Sequence, residues 1–474
     1  MYYALRKDCY FRQYGEIGYL SRPVVSAEEI LNESGAIFLS ELDYEEKNVE
    51  DIVKNIAKVY DEVDIQELKK DVMTLFESLV DDGFLDKCNS KDDFKHSTFS
   101  YNTLDGKIEK GGVKTNTEES SADFLERYSL KTPFLNAFQI ELTSKCNERC
   151  VHCYIPHENK NTLIERDLMI KVLDECKRIG VMTVVFSGGE AMLHPNFCEF
   201  LKYAKDLDLN VVILSNLTLL NDEIVEVLRY RHPSCVNVSL YSMNPEIHDS
   251  ITTVNGSQEI TKHNILKLIE NNIPVQINCP VMKQNKDDFD EVVRWGQGYK
   301  CSVVVDYLIM ARYDRTIDNL QNRLSSDELD SVVNKLLHSD VVSKMNMEKL
   351  KRDEIEFKKH DGNERVCGVG LTSLCMVSNG DVYPCAGWQK CVLGNLNEVT
   401  IQDIWNNSQQ IKYLRGLRIK NFEKCCDCED YDYCAMCMSR NSNEDPNGDI
   451  FNIPQITCDA AKIHHKAVEE YLKH

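Results

Sequence analysis

Three cysteines in one short loop are the strongest chemical signal in this sequence. Cys146, Cys150 and Cys153 have the spacing C-x3-C-x2-C. A structural zinc site needs four ligands and would have to recruit His152 or His157, whereas an iron–sulfur cube held by three thiolates keeps one iron open. The spacing therefore favours a 4Fe–4S cluster with an open iron.

A second group of cysteines lies in the last quarter of the chain. The sequence has 20 cysteines, and in a reducing cytosol such a number is more typical of metal ligands or redox groups than of disulfides. Zinc ribbons are the alternative to iron–sulfur clusters for paired cysteines of this kind. The spaced cysteines of this region exceed one metal site and are Cys367, Cys385, Cys425, Cys428, Cys434, Cys437 and Cys458.

Alternating strands and helices predict the framework that holds the first loop. A strand over 137–143 precedes the loop, and a helix over 165–179 and a strand over 181–186 follow it. Six such β/α units in series predict an α/β fold with parallel strands curled into a partial barrel. A doubly wound sheet competes, but no G-x-G-x-x-G turn follows the first strand. The residues at the predicted strand ends, where such barrels place their chemistry, are Ser187, Gly188, Gly189, Glu190, Ser215, Asn216, Ser239 and Tyr241.

With these motifs in this order, residues 134–312 resemble the radical S-adenosylmethionine (radical SAM) superfamily, whose signature is a C-x3-C-x2-C loop. The resemblance implies a partial (β/α)6 TIM-type barrel, one SAM-binding cluster, and a reductant such as flavodoxin or ferredoxin. It implies that the motif Ser187 to Glu190 contacts the amino group of the methionine moiety, as the family's GGE motif does. The positions that the family uses for the ribose and the carboxylate correspond to Ser215, Asn216, Ser239 and Tyr241.

The C-terminal cysteines resemble the SPASM domain, which follows radical SAM barrels in peptide-modifying enzymes and binds two auxiliary 4Fe–4S clusters. One spacing departs from that pattern, because two residues instead of three separate Cys434 from Cys437. The resemblance implies one cluster on Cys367, Cys385 and Cys437, with Cys375, Cys391, a substrate thiolate or an open position as the fourth ligand. It implies a second cluster on Cys425, Cys428, Cys434 and Cys458.

The N-terminal 87 residues predict short strands followed by three helices, in a winged-helix-like arrangement. The first helix is predicted to begin at Ser26, which forms a capping box with Glu29. This layout resembles the elements that recognise leader peptides of ribosomally made, post-translationally modified peptides, like the peptide chaperone of the pyrroloquinoline quinone pathway. Such a domain would add an extended leader to an exposed strand, predicted here as Ile17 to Ser21, beside the third helix. The excess of acidic residues argues against a DNA-binding winged helix.

The chain is thus expected to divide into five segments and to work in the cytoplasm. A net charge of -22 disfavours nucleic acid and anionic lipid as partners. Neither a membrane span nor a signal peptide is predicted. The segments are a leader-recognition domain (1–87), a linker (88–133), the radical SAM partial barrel (134–320), a bridging helical segment (321–364) and the SPASM domain (365–474).

The expected activity is maturation of a precursor peptide by a radical reaction that installs a crosslink. A thioether from cysteine to carbon, as in sactipeptides and ranthipeptides, is the first choice. The alternatives are a carbon–carbon or carbon–oxygen crosslink, and epimerisation with Cys279 as the hydrogen donor. Formation of formylglycine in a sulfatase and a non-enzymatic zinc-ribbon interaction protein are the other interpretations.

Overall fold

The N-terminal domain contains two small antiparallel sheets and three helices. The structure is a computed structural model that describes residues 1–60, 62–96, 120–159, 161–337 and 362–473. The elements are β1 (Tyr2–Leu5), β2 (Tyr10–Tyr14), β3 (Ile17–Arg22), β4 (Ala27–Leu31), α1 (Glu33–Ser40), β5 (Lys47–Asn48), α2 (Val49–Ile56), α3 (Ile65–Asp81) and β6 (Leu85–Cys88). One sheet has the strand order β5-β1-β6 and the other the order β2-β3-β4.

The predicted helix start at Ser26 is wrong. Ser26 ends a short turn in the left-handed conformation, with φ of 53°, and the next five residues form β4 instead of a helical turn. The pairing of β4 with β3, from Arg22 and Ala27 to Gly18 and Leu31, overrides the local capping signal because it buries both ends of the strand. The helix begins after Asn32, whose side chain accepts a hydrogen bond from the backbone of the first turn.

The predicted exposed strand is also wrong. Ile17 to Ser21 lies in β3, which pairs with β2 on one side and with β4 on the other. The edges of this sheet are β2 and β4. Any peptide that extends the sheet must therefore add to one of these two strands.

Buried contacts join the N-terminal domain to the barrel. The ring of Tyr14 stacks on Phe134 at 4.3 Å between centroids, and its hydroxyl donates to the Asn136 side chain at 2.9 Å. Arg12 pairs with Asp208 at 3.0 Å. Because these groups are largely buried, the N-terminal domain is packed against the barrel instead of being tethered by a linker alone.

The segment predicted as a linker contains the helix α4 (Ser121–Lys131). Phe124 and Leu125 on α4 pack into the same small apolar cluster as Tyr14 and Phe134. Residues 97–119 of the predicted linker lie outside the described residues.

Six parallel strands follow in sequence order and form the central framework. This confirms the predicted α/β fold with strand and helix in alternation. The helix from Pro245 to Thr252 was not predicted. The elements are β7 (Ala137–Thr143), α5 (Arg166–Arg178), β8 (Thr183–Gly188), α6 (Phe197–Asp206), β9 (Asn210–Ser215), α7 (Asp222–Arg231), β10 (Cys235–Ser239), α8 (Pro245–Thr252), α9 (Ser257–Glu270), β11 (Val275–Pro280), α10 (Phe289–Gly298) and β12 (Ser302–Asp306).

The C-terminal region continues the same sheet. β13 (Ser373–Met376) pairs in parallel with β7, and β14 (Asp381–Tyr383) and β15 (Gly394–Asn395) follow in antiparallel order. The cysteine-rich region is therefore joined directly to the first barrel strand. Of the predicted bridging segment, residues 338–361 lie outside the described residues. Among the helices that the structure describes, none is long and apolar enough to span a membrane. The elements are α11 (Ser326–Leu337), β13 (Ser373–Met376), β14 (Asp381–Tyr383), β15 (Gly394–Asn395), α12 (Ile401–Asn407), α13 (Gln409–Gly416), α14 (Met438–Glu444) and α15 (Gln455–Leu472).

Candidate active site

The three-cysteine loop lies at the carboxyl ends of the parallel strands, on one wall of a cavity of about 380 Å³. Burial raises the pKa of the Cys150 thiol, and the charges of Glu148, Cys153 and Cys146 raise it further. Grouped thiols that resist ionisation become thiolates when a cation binds them. The donor set therefore fits an iron–sulfur cluster. The cavity is also lined by the predicted residues Gly188, Gly189, Ser215, Asn216, Ser239 and Tyr241.

Two glycines let the end of β8 lie against the cysteine loop. Gly188 has φ of 133°, and a Cβ atom there would lie 2.1 Å from the Thr143 carbonyl oxygen. A Cβ atom on Gly189 would lie 2.3 Å from the Lys145 carbonyl oxygen. The Gly189 backbone N–H donates to that Thr143 oxygen at 2.8 Å. Only glycine permits this close backbone contact, which sets the position of the loop over the cavity.

Glu190 connects the ends of β8 and β9. Its carboxylate accepts hydrogen bonds from the Met192 backbone at 3.0 Å, the Ser215 hydroxyl at 2.8 Å and the Asn216 backbone at 2.7 Å. Burial raises the pKa of Glu190, and neither it nor Ser187 lines the cavity. In this structure Glu190 therefore positions Ser215 and Asn216.

Asn216 and Tyr241 contact the cysteine loop from two further strand ends. The Asn216 amide donates to Asn147 at 3.0 Å. The Tyr241 hydroxyl lies 3.8 Å from the Cys150 sulfur, and its ring meets His152 edge-on at 5.1 Å. The loop is thus held by side chains that lie up to 91 positions further along the chain.

Sequence reasoning missed Glu141, a buried carboxyl group on β7. Its Oε1 accepts hydrogen bonds from the Tyr154 hydroxyl at 3.1 Å and from the Gln389 side chain at 3.2 Å. Burial raises the pKa of Glu141 to about 7. The Glu141 carboxyl group thus connects Tyr154, which follows the cysteine loop, to Gln389 in the C-terminal region. The available signal was a charged residue within an apolar strand.

We expect replacement of Glu141 by glutamine to reduce the pH dependence of stability. The pKa of Glu141 in the folded protein, about 7, is above its ordinary value of 4.5. The protonated carboxyl group therefore stabilises the folded state fully below pH 4.5, and this stabilisation is lost as the pH rises through 7. The variant stays neutral and keeps an oxygen for both donors. Between pH 4.5 and pH 7, the free energy of unfolding of the wild type should therefore fall by up to about 3 kcal/mol more than that of the variant.

Anaerobic thermal unfolding at about pH 5.5 and pH 8 measures this difference. The exposed Glu246→Gln variant is the matched control. Equal pH dependence in wild type and Glu141→Gln would contradict the prediction.

The cysteines of the C-terminal region that the resemblance proposes as cluster ligands lie in two separate groups. Burial raises the pKa of Cys385 to about 12, and electrostatic interaction with its neighbours Cys437 and Cys367 raises it further. Burial likewise raises the pKa of Cys425 to about 12. The neighbours of Cys425 in the second group are Cys434, Cys428 and Cys458.

The two candidates for a fourth ligand of the first group differ in their surroundings. Cys375 is buried on β13, where burial and the charges of Glu141 and Cys385 raise its pKa. Burial raises the pKa of Cys391 to about 11, and a hydrogen bond with Gln410 lowers it. Of the two candidates, Cys375 is therefore the one that lies beside a predicted ligand of the first group, Cys385.

Cys279 is placed outside the cavity. Its thiol is buried and donates to the Tyr241 carbonyl oxygen at 3.6 Å, whereas the next residue, Pro280, lines the cavity. This placement gives no support to Cys279 as a hydrogen donor to a substrate.

We expect anaerobically reconstituted protein to contain about twelve iron atoms, from three cubes of four. Cys425 and Cys426 provide a matched test because they are adjacent, yet Cys426 donates to the Ile419 carbonyl at 3.6 Å. Cys425→Ala should lose about four iron atoms, and Cys426→Ala should retain them all. Iron analysis and the visible absorption of the iron–sulfur clusters measure the loss. Equal iron in both variants, or zinc in place of iron, would refute the ligand assignment.

Three family matches agree with this arrangement. Residues 140–296 match the radical SAM superfamily, and residues 367–438 match the SPASM iron–sulfur cluster-binding domain. Residues 27–85 match coenzyme PQQ synthesis protein D (PqqD). The PqqD match begins at β4 and ends at β6.

Curated relatives and solved structures extend the similarity across most of the chain. An AdoMet-dependent heme synthase of Methanosarcina barkeri is 29% identical over 324 residues, which are 63% of this chain and 90% of the relative. The subtilosin biosynthesis protein AlbA of Bacillus subtilis is 26% identical over 331 residues, 67% of this chain and 71% of the relative. Streptococcus suis SuiB bound to its precursor peptide SuiA has a TM-score of 0.64 at 17% identity, with 94% of this chain and 98% of that chain covered. This last likeness shows the fold.

The cavity, the cysteine groups and the family matches agree on the cofactors. The radical SAM and SPASM domains bring S-adenosylmethionine and 4Fe–4S clusters. The chain therefore contains a radical SAM domain, a PqqD-like domain before it and an SPASM domain after it.

Proposed function

We propose that this enzyme modifies a ribosomally synthesised precursor peptide that its N-terminal domain binds through the leader. The main support for this proposal is that a PqqD-like domain packs, through buried contacts, onto a radical SAM barrel that is followed by an SPASM domain. AlbA, which has a role in bacteriocin biosynthesis, and SuiB, which was solved with a precursor peptide, support this proposal.

The leader site is the groove between β4 and α3. This groove is the cavity of about 1170 Å³ that the N-terminal domain forms with α4. β4 is an edge strand of its sheet, so its outer backbone groups can pair with an extended peptide. The leader's side chains would then contact α3, which supplies Leu68 and Leu75 to the groove.

The second cavity, at the strand ends, is the site of the radical reaction. When bound there, S-adenosylmethionine and the cluster supply a carbon radical that removes hydrogen from an unactivated carbon. The chain's own part is to orient and enclose. Gly188 and Gly189 permit the close approach of the loop, Glu190 holds the ends of β8 and β9 together, and Tyr241 closes the wall beside Cys150.

The modification that we propose is a thioether between a cysteine and a carbon of the precursor. One hydrogen atom leaves the carbon, one proton leaves the thiol, and bond closure releases one electron. Accepting that electron is chemistry that auxiliary iron–sulfur clusters supply when bound. The group of Cys367, Cys385 and Cys437 offers three thiols, which leaves a coordination position for Cys375 or for the substrate's sulfur.

The expected product is about two mass units lighter than the precursor, because two hydrogens are lost as the thioether forms. The measurement is mass spectrometry after thiol alkylation, and the peptides to test as substrates are those that short reading frames near the gene encode. The crosslinked cysteine should resist alkylation. Alkylation of every cysteine in a product of the same reduced mass would favour a carbon–carbon or carbon–oxygen link. An unchanged mass with deuterium uptake from solvent would indicate epimerisation.

Two other sequence-based interpretations are less well supported. A zinc-ribbon interaction protein disagrees with the match of residues 367–438 to an iron–sulfur domain. Formylglycine formation in a sulfatase leaves the PqqD-like domain without a role. The cytoplasmic location and the reductant, a flavodoxin or ferredoxin, remain predictions.

A further inference from the structure

The groove between β4 and α3 carries an excess of acidic side chains. Within the described part of the chain, none of these carboxylates forms an ion pair. Among the described residues that line the groove, one side chain is basic, that of Arg127 on α4. The acidic lining residues are Glu16, Glu29, Glu33, Glu67 and Asp71.

These carboxylates stand on both walls of the groove. Glu29 lies on β4, where burial and the nearby Asp82 raise its pKa. Glu67 and Asp71 lie four residues apart on the exposed face of α3, and residues with this spacing share one side of a helix. The field across the groove is therefore negative, and a cationic occupant would relieve the repulsion.

The floor of the groove is apolar. Ile30 on β4, Phe38 on α1, and Leu68 and Leu75 on α3 line it between the two acidic walls. A strand added to β4 directs alternate side chains to opposite faces. One set of these side chains would meet the apolar floor, and flanking residues would reach the carboxylates.

We propose that the groove selects a basic, apolar leader, in which lysine or arginine flanks alternate aliphatic or aromatic residues of an extended segment. The inference rests on the proposed function, in which this groove binds the leader. It adds the chemical class of leader that charge complementarity selects. The negative net charge of the whole chain, -22, would assist the approach of such a peptide.

The test uses full-length enzyme and a phage-displayed library of random peptides of about twelve residues, long enough to extend β4. Selection on wild type should enrich lysine and arginine beside aliphatic residues. Glu67→Lys combined with Asp71→Lys should abolish that enrichment and weaken the best selected peptide about tenfold or more. Glu226→Lys combined with Glu270→Lys makes the same charge change on exposed helix positions outside the groove, and it should preserve both results.

Selected peptides without basic enrichment, or equal binding by the groove variant, would overturn the inference. Modification of the natural precursor by wild type, followed by mass, tests the proposed function separately. A modified precursor together with unselective peptide binding would therefore reject the charge preference alone. Uncoupled 5′-deoxyadenosine formation in each variant verifies that the protein is folded.

Discussion

Replacing Cys146, Cys150 and Cys153 together with alanine is expected to abolish 5′-deoxyadenosine formation under dithionite. The three thiols line one cavity with the glycines and polar residues of the strand ends. Without them no cluster with an open iron can form there, and cleavage of S-adenosylmethionine has no electron source. Chromatographic quantification of 5′-deoxyadenosine under anaerobic conditions measures the loss.

The matched control is Cys198→Ala, which removes a half-buried cysteine of α6. This variant should retain its activity. Because the SPASM cysteines are unchanged in the triple variant, it should keep about eight iron atoms, from two cubes of four. Undiminished 5′-deoxyadenosine from the triple variant would refute the assignment of the loop.

Shortening the groove floor with Ile30→Ala and Leu75→Ala is expected to weaken precursor turnover about a hundredfold. Each truncation removes apolar contact worth roughly 1 to 2 kcal/mol when a partner buries it. Both side chains are half-buried in the free enzyme and line the groove. Uncoupled 5′-deoxyadenosine formation should remain unchanged, because the reaction cavity lies in the barrel.

The control for the groove variant is Val59→Ala combined with Ile65→Ala. These apolar residues of the same domain are 63% and 45% exposed and do not line the groove. Precursor turnover should be preserved in this control. Normal turnover by the groove variant would show that the leader does not bind there.

Point variants are preferable to deletion of the whole N-terminal domain. Deletion would remove Tyr14 from its stack on Phe134 and Arg12 from its ion pair with Asp208. A barrel stripped of these partners exposes apolar surface and leaves a charge unpaired. Loss of turnover in such a truncation would therefore not separate leader binding from stability.

Features that depend on residues close together in the chain could be predicted from the sequence. The cysteine spacing from Cys146 to Cys153 predicts three ligands from one loop, since all three must reach one cluster. The alternation of apolar strands and helices predicts the parallel sheet, because a buried strand and an amphipathic helix have different periods of burial. Family resemblance correctly anticipated the radical SAM, SPASM and PqqD-like domains.

Tertiary structure alone decided which strand is an edge and which polar groups have partners. The pairing of Ala27–Leu31 with β3 replaced the helix predicted at Ser26 and moved the open edge away from Ile17 to Ser21. Glu190 finds its partners on the next strand, and Glu141 meets Gln389 from the SPASM region. These contacts join residues far apart in the chain, and local periodicity carries no information about them because it reports only which face of an element is buried.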